Sequence, residues 1–119
     1  MTPTQRALKL ARDPKPRGLG WQVAIVEKWN AHARIRQDLF GVFDLLAVGD
    51  GKITGIQVSS GSNHSARVRK IREWSGLEDW LKAGGHAEVW TWAKKGPRGK
   101  PKVWTLRQES VTLEPKENQ

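Results

Sequence analysis

Residues 38–59 read DLFGVFDLLAVGDGKITGIQVS. Asp50-Gly51 near the middle is a hairpin signal. A two-residue type I′ turn needs positive φ at both central positions, which Asp-Gly tolerates. The turn sets the register of the strands beside it. Gly49 faces Lys52, Val48 faces Ile53, Leu46 faces Gly55, Asp44 faces Gln57 and Val42 faces Ser59. Side chains alternate along a strand, so one face carries Phe43, Leu45, Ile56 and Val58. The other face sets Asp44, Gln57 and Ser59 among Val42, Leu46 and Val48. A carboxylate, an amide and a hydroxyl on a mostly apolar sheet face destabilise it unless they pair or bind something. This island is the candidate site for a metal or phosphate. The structural alternative is that the three bond one another and the nearby backbone.

Upstream, residues 21–29 (WQVAIVEKW) read as a strand rich in β-branched and aromatic residues. Trp21, Val23, Ile25, Glu27 and Trp29 share one face; Gln22, Ala24, Val26 and Lys28 share the other. Glu27 interrupts an apolar face. It is either an edge residue reaching solvent or a second acid beside Asp44. Residues 30–37 connect to the next strand and expose Arg34 and Arg36. Before them, residues 4–13 form a short helix with Thr4 as N-cap and Pro14 and Pro16 beyond its end. Residues 1–3 are expected to fray, as is the polar tail from about 114 to 119.

Downstream, Gly61 and Ser62 allow a turn, and Ser62 or Asn63 can cap a helix. Ala66, Val68 and Ile71 give that helix apolar contacts. Arg67, Arg69 and Lys70 face outward or towards the sheet edge. His64 reads as a capping or surface residue ahead of a general base; His32 and His86 carry no assigned role. A second short helix over 76–83 carries Leu77, Trp80 and Leu81 and ends at Gly84-Gly85. Residues 87–93 and 103–107 are two further strands. The loop between them, 94–102, holds five lysines and arginines: Lys94, Lys95, Arg98, Lys100 and Lys102. Trp90 and Trp92 share a face and read as core or dimer packing, with a stacking platform that includes Trp104 as the alternative.

The chain of 119 residues and 13.4 kDa is expected to be one domain, 1–119. Its formal charge of +9 points to nucleic acid before an anionic membrane surface. DNA contacts are expected at Arg34, Arg36, Arg67, Arg69, Lys70 and the 94–102 loop, through phosphates. The absence of cysteine removes disulfides and thiolate metal sites. No apolar run is long enough to span a membrane, and the basic N-terminus has no apolar signal core, so a cytoplasmic protein is expected. Strands mixed with helices on a small sheet make an α/β or α+β domain.

The order αβββαβ, an acid on the second strand and a polar-x-polar pair on the third resemble the PD-(D/E)xK nuclease superfamily. Within that restriction-endonuclease-like fold, size and spacing are similar to archaeal-type Holliday-junction resolvases and small phage-borne nucleases. Asp44 stands at the Asp position. Gln57-Val58-Ser59 stands where the family has Glu-x-Lys, after twelve intervening residues. The likeness spans roughly residues 4–93. It implies a small mixed sheet with flanking helices and Mg²⁺- or Mn²⁺-dependent phosphodiester hydrolysis. The implied metal ligands are the Asp44 carboxylate, the Gln57 amide oxygen, the Val58 carbonyl and Glu27. Ser59 replaces the family lysine and cannot act as a cation. A basic residue from the following helix would reach back instead: Arg67, His64 or, preferred, Lys70. The first helix lacks the acid the family often carries there. Two functions follow from the resemblance. One is a DNA endonuclease, resolvase-like on branched DNA and acting as a homodimer. The other is a non-catalytic nucleic-acid-binding protein on a degenerate nuclease scaffold. A purely structural or interaction protein is the third expectation.

Overall fold

A computed structural model describes residues 1–113; the expected frayed tail from 114 lies outside the described residues. The hairpin forms as the Asp-Gly signal demands. Strands β4 (Leu45–Gly49) and β5 (Lys52–Ser60) flank Asp50 and Gly51, whose φ values are 54° and 77°. Gly49 pairs with Lys52, Val48 with Ile53 and Leu46 with Gly55, the expected register.

Around this hairpin stands a mixed α+β architecture. The main sheet has five strands in the order β1-β4-β5-β6-β7, with β1 at Gln22–Ile25, β6 at Gly85–Lys95 and β7 at Val103–Ser110. All neighbours are antiparallel except β5 and β6, which run parallel. A parallel pair needs a crossover. Here a single 3₁₀ turn (Gly61–Asn63), α2 (His64–Arg72) and α3 (Leu77–Lys82) make it. Lys94 and Lys95, expected in a loop, are the last residues of β6 and pair with Trp104 and Val103.

Several local expectations change. Helix α1 runs Pro3–Arg12 and is capped by Thr2, not Thr4. The Gln5 N–H donates to Thr2 Oγ1 and the Thr2 N–H donates to Gln5 Oε1, a reciprocal box. Asn63 sits at the α2 N-cap without a side-chain capping bond; its amide donates to Ser59 and Ser60 instead. The 21–29 strand breaks after Ile25. Its second half, β2 (Lys28–Asn30), pairs with β3 (Ile35–Gln37) in a separate two-stranded ribbon. The expected connector is thus a hairpin. Asn30 makes it, because its side-chain oxygen accepts the N–H groups of His32 and Ala33 at 3.0 and 3.1 Å.

Two apolar cores lie on opposite faces of the main sheet. Under α1, Ala7 and Ala11 pack on Trp21, Leu45, Ala47, Ile56, Val58 and Trp90. Under α2 and α3, Val42 and Phe43 join Val68, Ile71, Leu77, Ala87 and Val89. Phe43, expected beside Leu45, lies instead in the opposite core. The ladder ends at Leu45–Ile56, so Val42 does not pair with Ser59. Beyond that point the alternation is lost and Phe43 turns over Gly55, where a Cβ would stand 2.6 Å from its ring. No helix among the described residues is long and apolar enough to cross a membrane.

Candidate metal centre

The point where the ladder ends is where the acids gather. Bonded pairs alternate along the hairpin, so Val58 N–H should reach the Phe43 carbonyl. That carbonyl is taken by Leu39 N–H at 2.9 Å. Asp44 Oδ2 replaces it, accepting Val58 N–H at 2.7 Å and Gln57 Nε2 at 2.6 Å. The expected meeting of Asp44 and Gln57 therefore occurs through side chains past the end of regular pairing.

Two more acids join. Asp38 opens a turn closed by Gly41 N–H on its carbonyl at 2.9 Å, which brings its side chain back over the hairpin. Glu27 follows the break between β1 and β2, where Val26 N–H bonds the Asp44 carbonyl at 2.9 Å. Val26 turns towards the α2/α3 core and Glu27 falls beside the acids. Glu27, Asp38 and Asp44 each place a carboxylate oxygen within 4.8 Å of the others. Of the two readings of Glu27, the second acid beside Asp44 is the one formed.

Cations border the cluster. Lys70, on α2, sets its Nζ 3.2 Å from Asp38 Oδ2. Arg36, on β3, holds Glu27 at 2.8 Å. Lys70 and Arg36 line, with Gln37, Asp38 and Gly41, an open cavity of about 460 Å³ beside the carboxylates. Asp38 stands between Lys70 and Gln57, accepting from Lys70 Nζ at 3.2 Å and from Gln57 Nε2 at 3.4 Å. Sequence reasoning misses it. The signal available is an acid in the decisive stretch, followed after Leu39-Phe40 by a turn glycine.

The electrostatics separate the two aspartates. Burial pushes Asp44 up to about 7, helped by the hydrogen bond and charge of Asp38 and opposed by Val58 N–H and Gln57. Burial also pulls Asp38 upward, but its hydrogen bond with Asp44, the Lys70 ammonium and the Gln57 amide outweigh it and hold Asp38 below the ordinary range. Like charges this close cannot both ionise freely, so the pair retains a proton. Gln57 is buried and its Oε1 has no hydrogen-bond partner. An unpartnered buried amide oxygen destabilises the fold by about 1–3 kcal/mol.

Other expected site residues lie elsewhere. Ser59 accepts a hydrogen bond from Asn63 at 3.2 Å and does not bond the carboxylates. His64 closes the 3₁₀ turn with its N–H on the Gly61 carbonyl, but it is not a surface residue. It is buried, with Nδ1 2.6 Å from Thr91 Oγ1 and Nε2 3.0 Å from Glu109 Oε1. Arg69 lines a different cavity, between α2 and β7, with Arg72 and Arg107. Arg67 is half-buried, whereas Arg34, Lys94, Lys95, Arg98, Lys100 and Lys102 are exposed. Trp90 is fully buried in the core, which removes it from any stacking platform, and Trp104 remains exposed beneath Arg6 and Lys94. Comparison with known proteins yields no match: no family model, no curated protein and no solved structure is significantly similar to this chain.

Proposed function

We propose that the protein is a metal-dependent DNA endonuclease of the PD-(D/E)xK type. One observation carries this reading: three carboxylates converge on a single point beside a lysine and an orphaned amide oxygen. Without a ligand this arrangement is unfavourable, because like charges and an unpartnered acceptor are held together out of water. A hard divalent cation relieves the crowding of the carboxylates. Carboxylate, amide and main-chain oxygens are the donors that Mg²⁺ or Mn²⁺ takes.

Asp44, Asp38 and Glu27 would hold the ion, with Gln57 added once its amide turns its oxygen inward. Amide oxygen and nitrogen occupy equivalent positions after such a flip. The N–H and carbonyl of a strand residue point to the same edge, so the Val58 carbonyl also faces Asp44. When bound, the ion would polarise the phosphodiester and lower the pKa of a water. Lys70 supplies the positive charge that Ser59 lacks, anchored on Asp38 and aimed along the cavity that Arg36 shares. Asp44, protonated up to about pH 7, gives up its proton as the site fills.

DNA is the substrate that suits the formal charge of +9 and the exposed cations of the β6–β7 loop. Branched DNA would present two such phosphates, and a homodimer would present two such sites. A cytoplasmic location suits that substrate. The test is incubation with supercoiled, single-stranded and four-way-junction DNA, with and without Mg²⁺ or Mn²⁺. Cutting that needs the ion and is lost in Asp44→Ala supports the enzyme. Salt-sensitive binding with no cutting under any ion assigns the scaffold to nucleic-acid binding alone.

A further inference from the structure

We infer that Phe40 stacks on an unpaired nucleobase next to the phosphate held at the carboxylate cluster, so that the protein prefers DNA with unpaired bases. The inference rests on the nuclease reading and adds the class of substrate. Phe40 lies two residues after Asp38, within the turn that Gly41 closes on Asp38. Its side chain is 59% exposed. Its φ is +55°, a conformation that suits glycine or asparagine and strains a bulky residue. Strained residues of this kind cluster at ligand sites.

The ring rests on an aromatic floor. Trp74 lies stacked beneath it at 5.6 Å with an interplanar angle of 18°, and Trp80 meets it edge-on at 6.3 Å. Phe43 supports both tryptophans from the core at 5.5 and 5.1 Å. Such a backing holds the outer face of the phenyl ring fixed and open. Phe40, Trp74, Trp80 and Asp79 border an open cavity of about 420 Å³. Gly41, the next residue, borders the cavity of Arg36, Asp38 and Lys70. A cationic pocket beside acids thus adjoins an aromatic shelf across one peptide. That pairing matches one nucleotide, whose phosphate is anionic and whose base has an apolar π-face. Paired bases hide their faces in the duplex stack, whereas unpaired bases expose them to aromatic side chains. Asp79 adds an acceptor at the shelf edge for an exocyclic amino group.

The test measures DNA binding by fluorescence anisotropy at low salt with Ca²⁺ in place of Mg²⁺ or Mn²⁺, so that the carboxylates carry a hard cation, and a gel confirms that the probes stay intact. The probes are a single-stranded oligonucleotide and a duplex of the same sequence. Phe40→Asn keeps a residue that accepts positive φ and removes the ring; Phe40→Trp restores an aromatic face. The wild type should bind the single strand more tightly than the duplex. Phe40→Asn should lose about 10-fold or more on the single strand, the scale of one base–aromatic stack. It should keep its duplex affinity and its thermal midpoint, and Phe40→Trp should recover the single strand. Equal single-strand binding by wild type and Phe40→Asn overturns the inference, as does an equal loss on both probes. A wild-type dimer that Phe40→Asn dissociates also overturns it, assigning the shelf to a second copy of the chain. A wild type that never cuts with Mg²⁺ or Mn²⁺, beside a Phe40→Asn variant that shows the single-strand loss, sinks the nuclease reading and leaves the stacking role standing.

Discussion

Two buried polar clusters lie along the same sheet, and they are built on opposite principles. On β6 and β7, His64 fills a slot between Thr91 and Glu109, and each ring nitrogen has a partner. Arg107 lies 3.6 Å from Glu109 and balances it further. At the open end of the β4–β5 hairpin, three carboxylates crowd against one another, and Gln57 Oε1 has no partner. The first cluster is closed: everything buried is satisfied, and it needs no ligand. The second is open: Lys70 and Arg36 are fewer than the acids they face. Burial alone therefore says little about function; unmet charge and hydrogen bonding are what mark a site.

The largest expected effect breaks the open cluster. Asp44→Asn should lower metal-dependent cutting by on the order of 100-fold or more, the scale for removing one preorganised electrostatic interaction. In the absence of divalent ions the same variant should be at least as stable as wild type at pH 8, since a buried charge is gone. A large loss of stability there would mean that Asp44 is a structural group and that the two clusters are alike.

The reciprocal change sharpens the contrast. His64→Ala should cost about 2–4 kcal/mol in urea unfolding, from the cavity and from Thr91 left without its partner. Cutting per folded molecule should be unchanged. A variant that folds normally but no longer cuts would move His64 into the site.

A third test uses pH. Asp44 has its folded pKa raised to about 7, so between about pH 4 and 7 the unfolded chain has lost a proton that the folded chain keeps. Stability without divalent ions should then fall as pH rises through that window and level off above it. Asp38, held below its ordinary value, acts in the other sense: its contribution is present above the unfolded pKa and is lost as pH falls through the folded one. Asp44→Asn should flatten the pH 4–7 slope, measured by denaturant titration. A slope that survives the substitution would place its origin outside the carboxylate pair.

The smallest effect belongs to the exposed cations of the β6–β7 loop. Replacing Arg98 or Lys100 with alanine should reduce the slope of log affinity against log salt for duplex DNA, by about 0.9 for each phosphate left without its cation. An unchanged slope would remove the β6–β7 loop from the DNA interface.

Much of this contrast is legible in the residues of the hairpin. Asp50-Gly51 places the turn, the turn places the register, and the register brings Asp44 to Gln57. These are short-range relations, so a few residues carry them. Phe43 departs from its expected face because alternation holds only while the ladder lasts, and Asp44 ends the ladder by substituting its side chain for a main-chain acceptor. The places of Asp38 and His64 are hidden from sequence reading for a common reason. Each finds its partners far along the chain: Lys70 for Asp38, Thr91 and Glu109 for His64.

The sequence by itself determined the hairpin, the mixed α+β class, the basic character and the seed of the acid cluster. Each of these follows from local turn chemistry, side-chain period or composition. Only the tertiary structure decided which acids surround Asp44, that Lys70 stands beside them while Ser59 does not, and that His64 lies closed in the core. Those outcomes depend on how a broken strand, a turn and a crossover helix meet in space, and no spacing along the chain encodes that meeting.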